Sequence, residues 1–186
     1  FFVIMNHESI LYLALSGNFN RTLFNRYSHE LHKKTVHCST PLHYAVLGGN
    51  AAAVLYFIQN GINVNARNVF GETALHWCGK EGNFELVQVL LDNGADLNLD
   101  DIDGNTPVHW AAEYNNIGVL RELLSRGANF NEVNGMGETP MALSVVNEAL
   151  DSVSLLNRYL TKEKERRFVT VSPIPRLTTK HKIKKL

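Results

Sequence analysis

The chain has 186 residues, of which 45% are hydrophobic and 19% charged, and its acidic and basic residues balance. The hydrophobic fraction is typical of a globular protein and excludes a disordered one. A disulfide-rich protein is excluded because only Cys38 and Cys78 are present. No apolar run approaches the roughly 18 residues that cross a bilayer, so we expect no transmembrane helix. Two isolated thiols favour a reduced, intracellular protein.

The charge is unevenly distributed. Residues 162–186 hold nine lysines or arginines against two glutamates, a net charge of +7, and the rest of the chain therefore carries −7. The sequence predicts an acidic body followed by a basic tail over 164–186, which ends in a cluster at 180–185. A solvated tail, a nuclear-import signal and a contact with an acidic partner or with the acidic body all stay open.

Residues 1–33 contain the pair Gly17-Asn18, which recurs further along the chain as Gly49-Asn50 and Gly82-Asn83. They lack the threonine motif that follows. We interpret them as a degenerate repeat that caps the start of a repeat array.

From residue 34 the sequence repeats itself every 33 residues. Threonines at this interval open the segments Thr-Pro-Leu-His-Tyr-Ala, Thr-Ala-Leu-His-Trp-Cys, Thr-Pro-Val-His-Trp-Ala and Thr-Pro-Met-Ala-Leu-Ser. Other glycines and asparagines keep the same interval. The periodic positions are Thr40, Thr73, Thr106 and Thr139; Gly61, Gly94 and Gly127; Gly71, Gly104 and Gly137; and Asn65, Asn98 and Asn131.

Local physical chemistry predicts two helices in each repeat. Each threonine is a good N-cap, and the proline that follows three of them suits the first helical position. Gly61, Gly94 and Gly127 should end the second helix in the left-handed conformation. The segments 68–71, 101–104 and 134–137 have turn compositions, and we expect them at hairpin tips.

The threonine segments at this period resemble the ankyrin-repeat family. The resemblance implies an all-α solenoid of helix-turn-helix units with β-hairpin loops. It divides the chain into a cap at 1–33, repeats at 34–66, 67–99 and 100–132, and a C-terminal cap at 133–163. That cap should have helices near 139–148 and 151–163, with the basic tail at 164–186.

The resemblance implies that a partner binds at the hairpin tips and on the concave face of the inner helices. Apolar tip residues strengthen this expectation, because a solenoid should prefer polar tips. A row formed by Tyr44, Trp77 and Trp110 either packs between repeats or contacts the partner. The predicted partner-binding residues are Val69, Phe70, Glu72, Trp77, Lys80, Glu81, Ile102, Asp103, Asn105, Trp110, Glu113, Tyr114 and Met136.

We expect no catalytic residue, cofactor or metal. His43, His76 and His109 lie one repeat apart, about 8–10 Å, which is too far for them to share an ion. Each should instead bond to the threonine hydroxyl and to neighbouring loop backbone. In this family the inter-repeat asparagine is structural and can also be hydroxylated, so Asn98 and Asn131 are candidates for that modification.

The sequence therefore predicts a non-catalytic scaffold or adaptor in the cytoplasm that binds another protein. No small-molecule substrate, nucleic acid or membrane is expected as a partner. A targeting module of a larger enzyme, or of a bacterial or viral effector in the host cytosol, is one alternative. An inhibitor of a transcription factor, similar to the IκB type, is another, and the basic tail leaves a nuclear location open.

Overall fold

The computed structural model describes residues 9–169, with side chains described to residue 166. Within that range the chain forms ten α-helices and one short 3-10 helix at Ser28–Glu30. The helices are α1 Ile10–Leu15, α2 Arg21–Arg26, α3 Pro41–Leu47, α4 Ala51–Gln59, α5 Ala74–Glu81, α6 Phe84–Asp92, α7 Pro107–Glu113, α8 Ile117–Ser125, α9 Pro140–Val146 and α10 Leu150–Val169.

The helices stack in two rows. The odd-numbered helices pack on one another in chain order to form the inner row, and α4, α6, α8 and α10 form the outer row. The core lies between the rows and includes the fully buried Leu42, Leu75, Leu90 and Leu123. This arrangement confirms the predicted all-α solenoid of helix-turn-helix units.

The described residues contain no strand, so the loops predicted as β-hairpins reverse the chain without β-strands. The tips are instead tight turns, joined to the next tip by single backbone hydrogen bonds. The amide of Val69 donates to the carbonyl of His37 at 2.9 Å, and that of Ile102 donates to the carbonyl of Phe70 at 2.9 Å. One bond between neighbouring tips, with the bond across each tip such as that from the Asn68 amide to the Glu72 carbonyl at 3.0 Å, is too little to form a β-ladder.

The inner helices begin where the sequence places them. Thr40, Thr73, Thr106 and Thr139 are their N-caps in extended conformation, and three of these helices start with a proline. The glycines that follow the outer helices are left-handed as predicted, with φ of +87° at Gly94.

The first helix pair packs on the first repeat that has the threonine motif. Helix α1 packs on α3, and Phe24 of α2 is fully buried, with its ring centroid 5.4 Å from those of both Tyr56 and Phe57. The exact division of the chain into units stays a prediction.

The C-terminal end departs from the prediction. Helix α9 ends at Val146, and α10 runs to Val169, six residues past the predicted helix end and into the segment predicted as tail. The reason is that the mixed charges of 162–166, Lys-Glu-Lys-Glu-Arg, combine good helix formers with stabilising pairs three or four residues apart. Residues 170–186, including the basic cluster at 180–185, lie outside the described range.

One histidine in each of the helices α3, α5 and α7 joins that helix to the next repeat. The Nδ1 atoms of His43, His76 and His109 each accept a hydrogen bond of 3.1 Å from the amide of the threonine three residues earlier. Their Nε2 atoms lie 3.1, 2.9 and 3.2 Å from the carbonyl oxygens of the following tip. Since Nδ1 accepts, Nε2 carries the hydrogen and donates it, so each ring is neutral.

The predicted structural role of these histidines is therefore confirmed, including the contact with the threonine hydroxyl, at 3.0 Å for His43. Burial disfavours the imidazolium ion and lowers the pKa of all three rings, that of His43 to about 4 from an ordinary 6.5.

The free energy of unfolding should fall as the pH is lowered from 7 to 5. Below pH 6.5 the unfolded chain takes up protons on these three rings, whereas the folded protein takes up none on His43 until the pH approaches 4. Each ring contributes a slope of up to about 1.4 kcal/mol per pH unit. Urea unfolding at half-unit pH intervals measures this slope, and His43→Gln should reduce it. A stability that is constant from pH 7 to 5 would show that the rings are not held neutral.

Gly94→Val should lower the free energy of unfolding by about 1–3 kcal/mol, because a β-branched residue is strained at this backbone conformation. A Cβ at Gly94 would meet no described atom within 4 Å, so strain alone should account for the loss. The control is Gly118→Ala inside α8, where the backbone φ is not positive and a Cβ would make an ordinary 3.7 Å contact with Phe84. Helix propensity should make that variant more stable by up to about 1 kcal/mol. Equal melting temperatures for Gly94→Val and the wild type would contradict this account.

Candidate binding groove

A row of apolar side chains is exposed along the tips. Ile102 and Met136 are 66% and 82% exposed, and Val69 and Phe70 are 49% and 42% exposed. The predicted exposure of these four residues is confirmed. Val36, one repeat before Val69, extends the row with 77% exposure, and the sequence reasoning missed it. We call these five residues the tip row.

A groove of about 290 Å³ lies between the tips at 68–71 and 101–104 and helix α7. Eight of the thirteen predicted binding residues line it, together with one residue that was not predicted, Asp101. The lining residues are Phe70, Glu72, Asp101, Ile102, Asp103, Asn105, Trp110, Glu113 and Tyr114.

The five remaining predicted residues lie outside this lining. Val69 and Met136 belong to the tip row, and Glu81 is exposed at the end of α5. Lys80 reaches the edge of the groove, with its ammonium nitrogen 5.7 Å from the centroid of the Tyr114 ring. Whether any of the thirteen contacts a partner stays a prediction.

The aromatic row packs between repeats. The Trp77 ring meets those of His43 and Tyr44 with centroids at 5.2 and 6.0 Å, and Trp110 meets His76 at 5.7 Å. These contacts favour the packing alternative for the buried part of each half-buried ring. The exposed part of Trp110 still lines the groove, where its centroid lies 6.3 Å from that of Tyr114.

Both indole N–H groups are bonded inside the protein. Trp77 donates from Nε1 to Glu72 Oε2 at 2.8 Å, and Trp110 donates to Asp101 Oδ2 at 2.9 Å. Truncating either tryptophan would therefore leave a carboxylate short of a donor, and would disturb the fold as well as the groove.

Asp101 holds the tip at 101–104 in place through hydrogen bonds to its backbone. Its side chain is 7% exposed, and Oδ1 accepts hydrogen bonds from the amides of Asp103 and Asn105 at 2.9 and 2.8 Å. Asn68 and Asn134, one repeat to either side, hold their own tips in the same way. A carboxylate at a position where the neighbouring repeats have asparagine was the signal that could have identified this residue.

The groove is strongly acidic. Burial, reinforced by the charges of Asp101 and Glu138, raises the pKa of Glu113, and Lys80 only partly opposes this. Among the described residues, no ion pair reaches the carboxylates of Glu72, Asp101, Asp103, Glu113 or Glu138. The groove therefore holds negative charge that no ion pair of the described residues neutralises and that Lys80 offsets only in part.

The inter-repeat asparagines make structural contacts. Asn65 donates from Nδ2 to the Gly94 carbonyl at 3.1 Å and accepts from the Asp96 amide at 2.8 Å, which ties adjacent repeats together. Asn98 accepts from the Asn129 amide at 3.4 Å, and Asn131 donates to Glu163 at 3.1 Å. Hydroxylation of Asn98 or Asn131 stays a prediction.

The other histidine, cysteine and acidic residues that the structure describes form no metal site. Cys78 is fully buried in the slot that Ala45 and Ala111 fill in other repeats, and burial raises the pKa of its thiol. Within the described range, no group of three or more histidine, cysteine or acidic residues could hold a metal. No helix among the described residues has the length and apolar character needed to cross a membrane.

Comparison with known proteins agrees with this architecture. A family model described as ankyrin repeats (3 copies) matches residues 10–101 and again residues 96–166. No curated protein matches the chain significantly. Ankyrin repeats are modules of protein–protein interaction and are generally not catalytic. The two matches together cover most of the 186 residues, and the chain belongs to the ankyrin-repeat family.

Proposed function

We propose that this chain is a non-catalytic scaffold or adaptor that binds one partner protein through the tip row and the adjoining groove. The observation that carries the proposal is the tip row, because turns facing water would otherwise favour polar residues. Burying Ile102 and Met136, which are 66% and 82% exposed, would remove a large apolar area from water.

The groove beside the tip row offers the complementary features of a binding site. Trp110 and Tyr114 supply rigid aromatic surface, which often carries most of the binding energy at an interface. The acidic residues around them would contribute mainly to specificity and to the rate of association. As part of the proposal we place this binding in the cytoplasm, where free thiols such as Cys38 and Cys78 are usual.

Phe70→Ala should weaken partner binding at least tenfold, because the ring would be buried at the centre of the interface. The partner is identified by affinity capture from cells that express the chain, and its Kd is then measured with the purified proteins. Lys80→Ala should have a smaller effect, since rim charges mainly change the association rate.

The matched control is Phe84→Ala. Phe84 is 43% exposed, almost the same as Phe70 at 42%, but it begins the outer helix α6. Circular dichroism must show both variants folded. If Phe70→Ala leaves the Kd unchanged while Phe84→Ala raises it, the outer helices form the binding surface and the proposal is wrong.

A further inference from the structure

The groove has the walls of a pocket for one long side chain. Trp110 and Tyr114 form an aromatic wall with ring centroids 6.3 Å apart, and Phe70 and Ile102 form the wall on the tip side. A volume of about 290 Å³ accommodates a single extended side chain with its neighbours on the rim.

The charge of the groove restricts what can enter. Asp101 is more than nine-tenths buried at its base, and Asp103 and Glu113 line the same groove. No described lysine or arginine forms an ion pair with any of the three. A nucleic acid or an acidic segment would meet repulsion here, and a purely apolar segment would desolvate carboxylates without compensation.

One contact inside the protein shows how a cation is accommodated. The Lys80 ammonium approaches the Tyr114 ring at 5.7 Å, a distance at which a cation is attracted to an aromatic face. Lys80 itself is exposed and forms no ion pair among the described residues, so it leaves the carboxylates of the groove available. A cationic side chain of a partner would contact both the aromatic faces and those carboxylates.

We infer that the groove binds an extended segment of a partner protein that inserts a lysine or arginine side chain against Trp110 and Tyr114. The cationic group is directed to Asp103 and Glu113, and apolar residues beside it lie on Phe70 and Ile102. Arginine is favoured because its planar guanidinium both stacks on an aromatic ring and bonds to a carboxylate. The inference rests on the proposed function, since it names the class of segment that the same surface selects.

A displayed library of random nonapeptides, selected on the full 186-residue chain, tests this directly. The selected peptides should be enriched in arginine or lysine at one fixed position with an apolar residue close by. The same selection is repeated on Asp103→Asn/Glu113→Gln, which removes two charges and keeps the shapes of the side chains. A selected peptide should bind this variant at least tenfold more weakly, measured by fluorescence anisotropy.

The control is Glu85→Gln/Glu165→Gln, which removes two charges from exposed positions on the outer helices α6 and α10. It should keep both the basic enrichment and the Kd. The groove variant should melt no lower than the wild type, because removing like charges relieves repulsion around Glu113. The Kd of a selected peptide is also measured at increasing salt concentrations. If salt weakens binding to both variants equally, the peptide is attracted to the acidic body in general and the inference is overturned.

Two other outcomes would overturn it. Enriched peptides that lack a basic residue but are lost in Phe70→Ala would place a different segment in the groove and leave the proposed function standing. Failure to enrich any peptide would exclude a linear basic segment, whereas the proposed function is decided separately by the Kd of the captured partner for Phe70→Ala.

Discussion

The buried histidines of α3, α5 and α7 hold together backbone groups that belong to different repeats. Nδ1 of His76 fixes the start of its own helix through Thr73, and Nε2 holds the carbonyl of Asn105 in the next tip. Both bonds lie in a desolvated joint, where an unmade hydrogen bond costs more than it does at the surface. The joint sets the position of each tip relative to the inner helix before it, and the placement of the groove depends on it.

The groove is formed by two such joints in succession. Phe70 reaches it from one tip and Ile102 from the next, and a single backbone hydrogen bond links these two residues. Trp110 lies on α7 and lines the groove. Its indole N–H donates a hydrogen bond to Asp101, and its ring contacts the ring of His76. Because tip and helix are already fixed to each other, we expect a small ordering cost for the backbone of the groove on binding.

Uncompensated carboxylates in the groove favour binding at the expense of stability. The pKa of Glu113 is raised by burial of its carboxyl group and, to a smaller extent, by repulsion from Asp101 and Glu138, both of which the folded chain tolerates without a partner. Natural proteins commonly carry such strain at binding sites, since selection maintains function once stability is sufficient. A cationic partner would convert this repulsion into attraction, which links the electrostatics of the groove to its selectivity.

Much of this could be predicted from the sequence because the repeat places helix caps, glycine turns and tip residues at a fixed interval. Eight residues of the groove were identified by position within that interval. Asp101 was not, because its bond to Trp110 nine positions later leaves no local pattern, and its carboxylate at a position where neighbouring repeats have asparagine was the only sequence signal. The extension of α10 was not predicted, because the helix-forming residues at 162–166 belong to the segment whose high net positive charge favours a solvated tail. The left-handed backbone of Cys38, Asn115 and Glu148 could not be predicted from residue type, because other repeats have glycine at these positions.

The central claim is that the partner binds one face of the array, formed by the tips at 68–71 and 101–104 and by helix α7. Backbone amide hydrogen exchange of the chain, with and without its captured partner at saturating concentration, tests this most directly. We expect slower exchange at 69–72, 101–105 and 110–114, and unchanged exchange in α4, α6 and α8. Protection confined to those outer helices, with no change at the tips, would contradict the account.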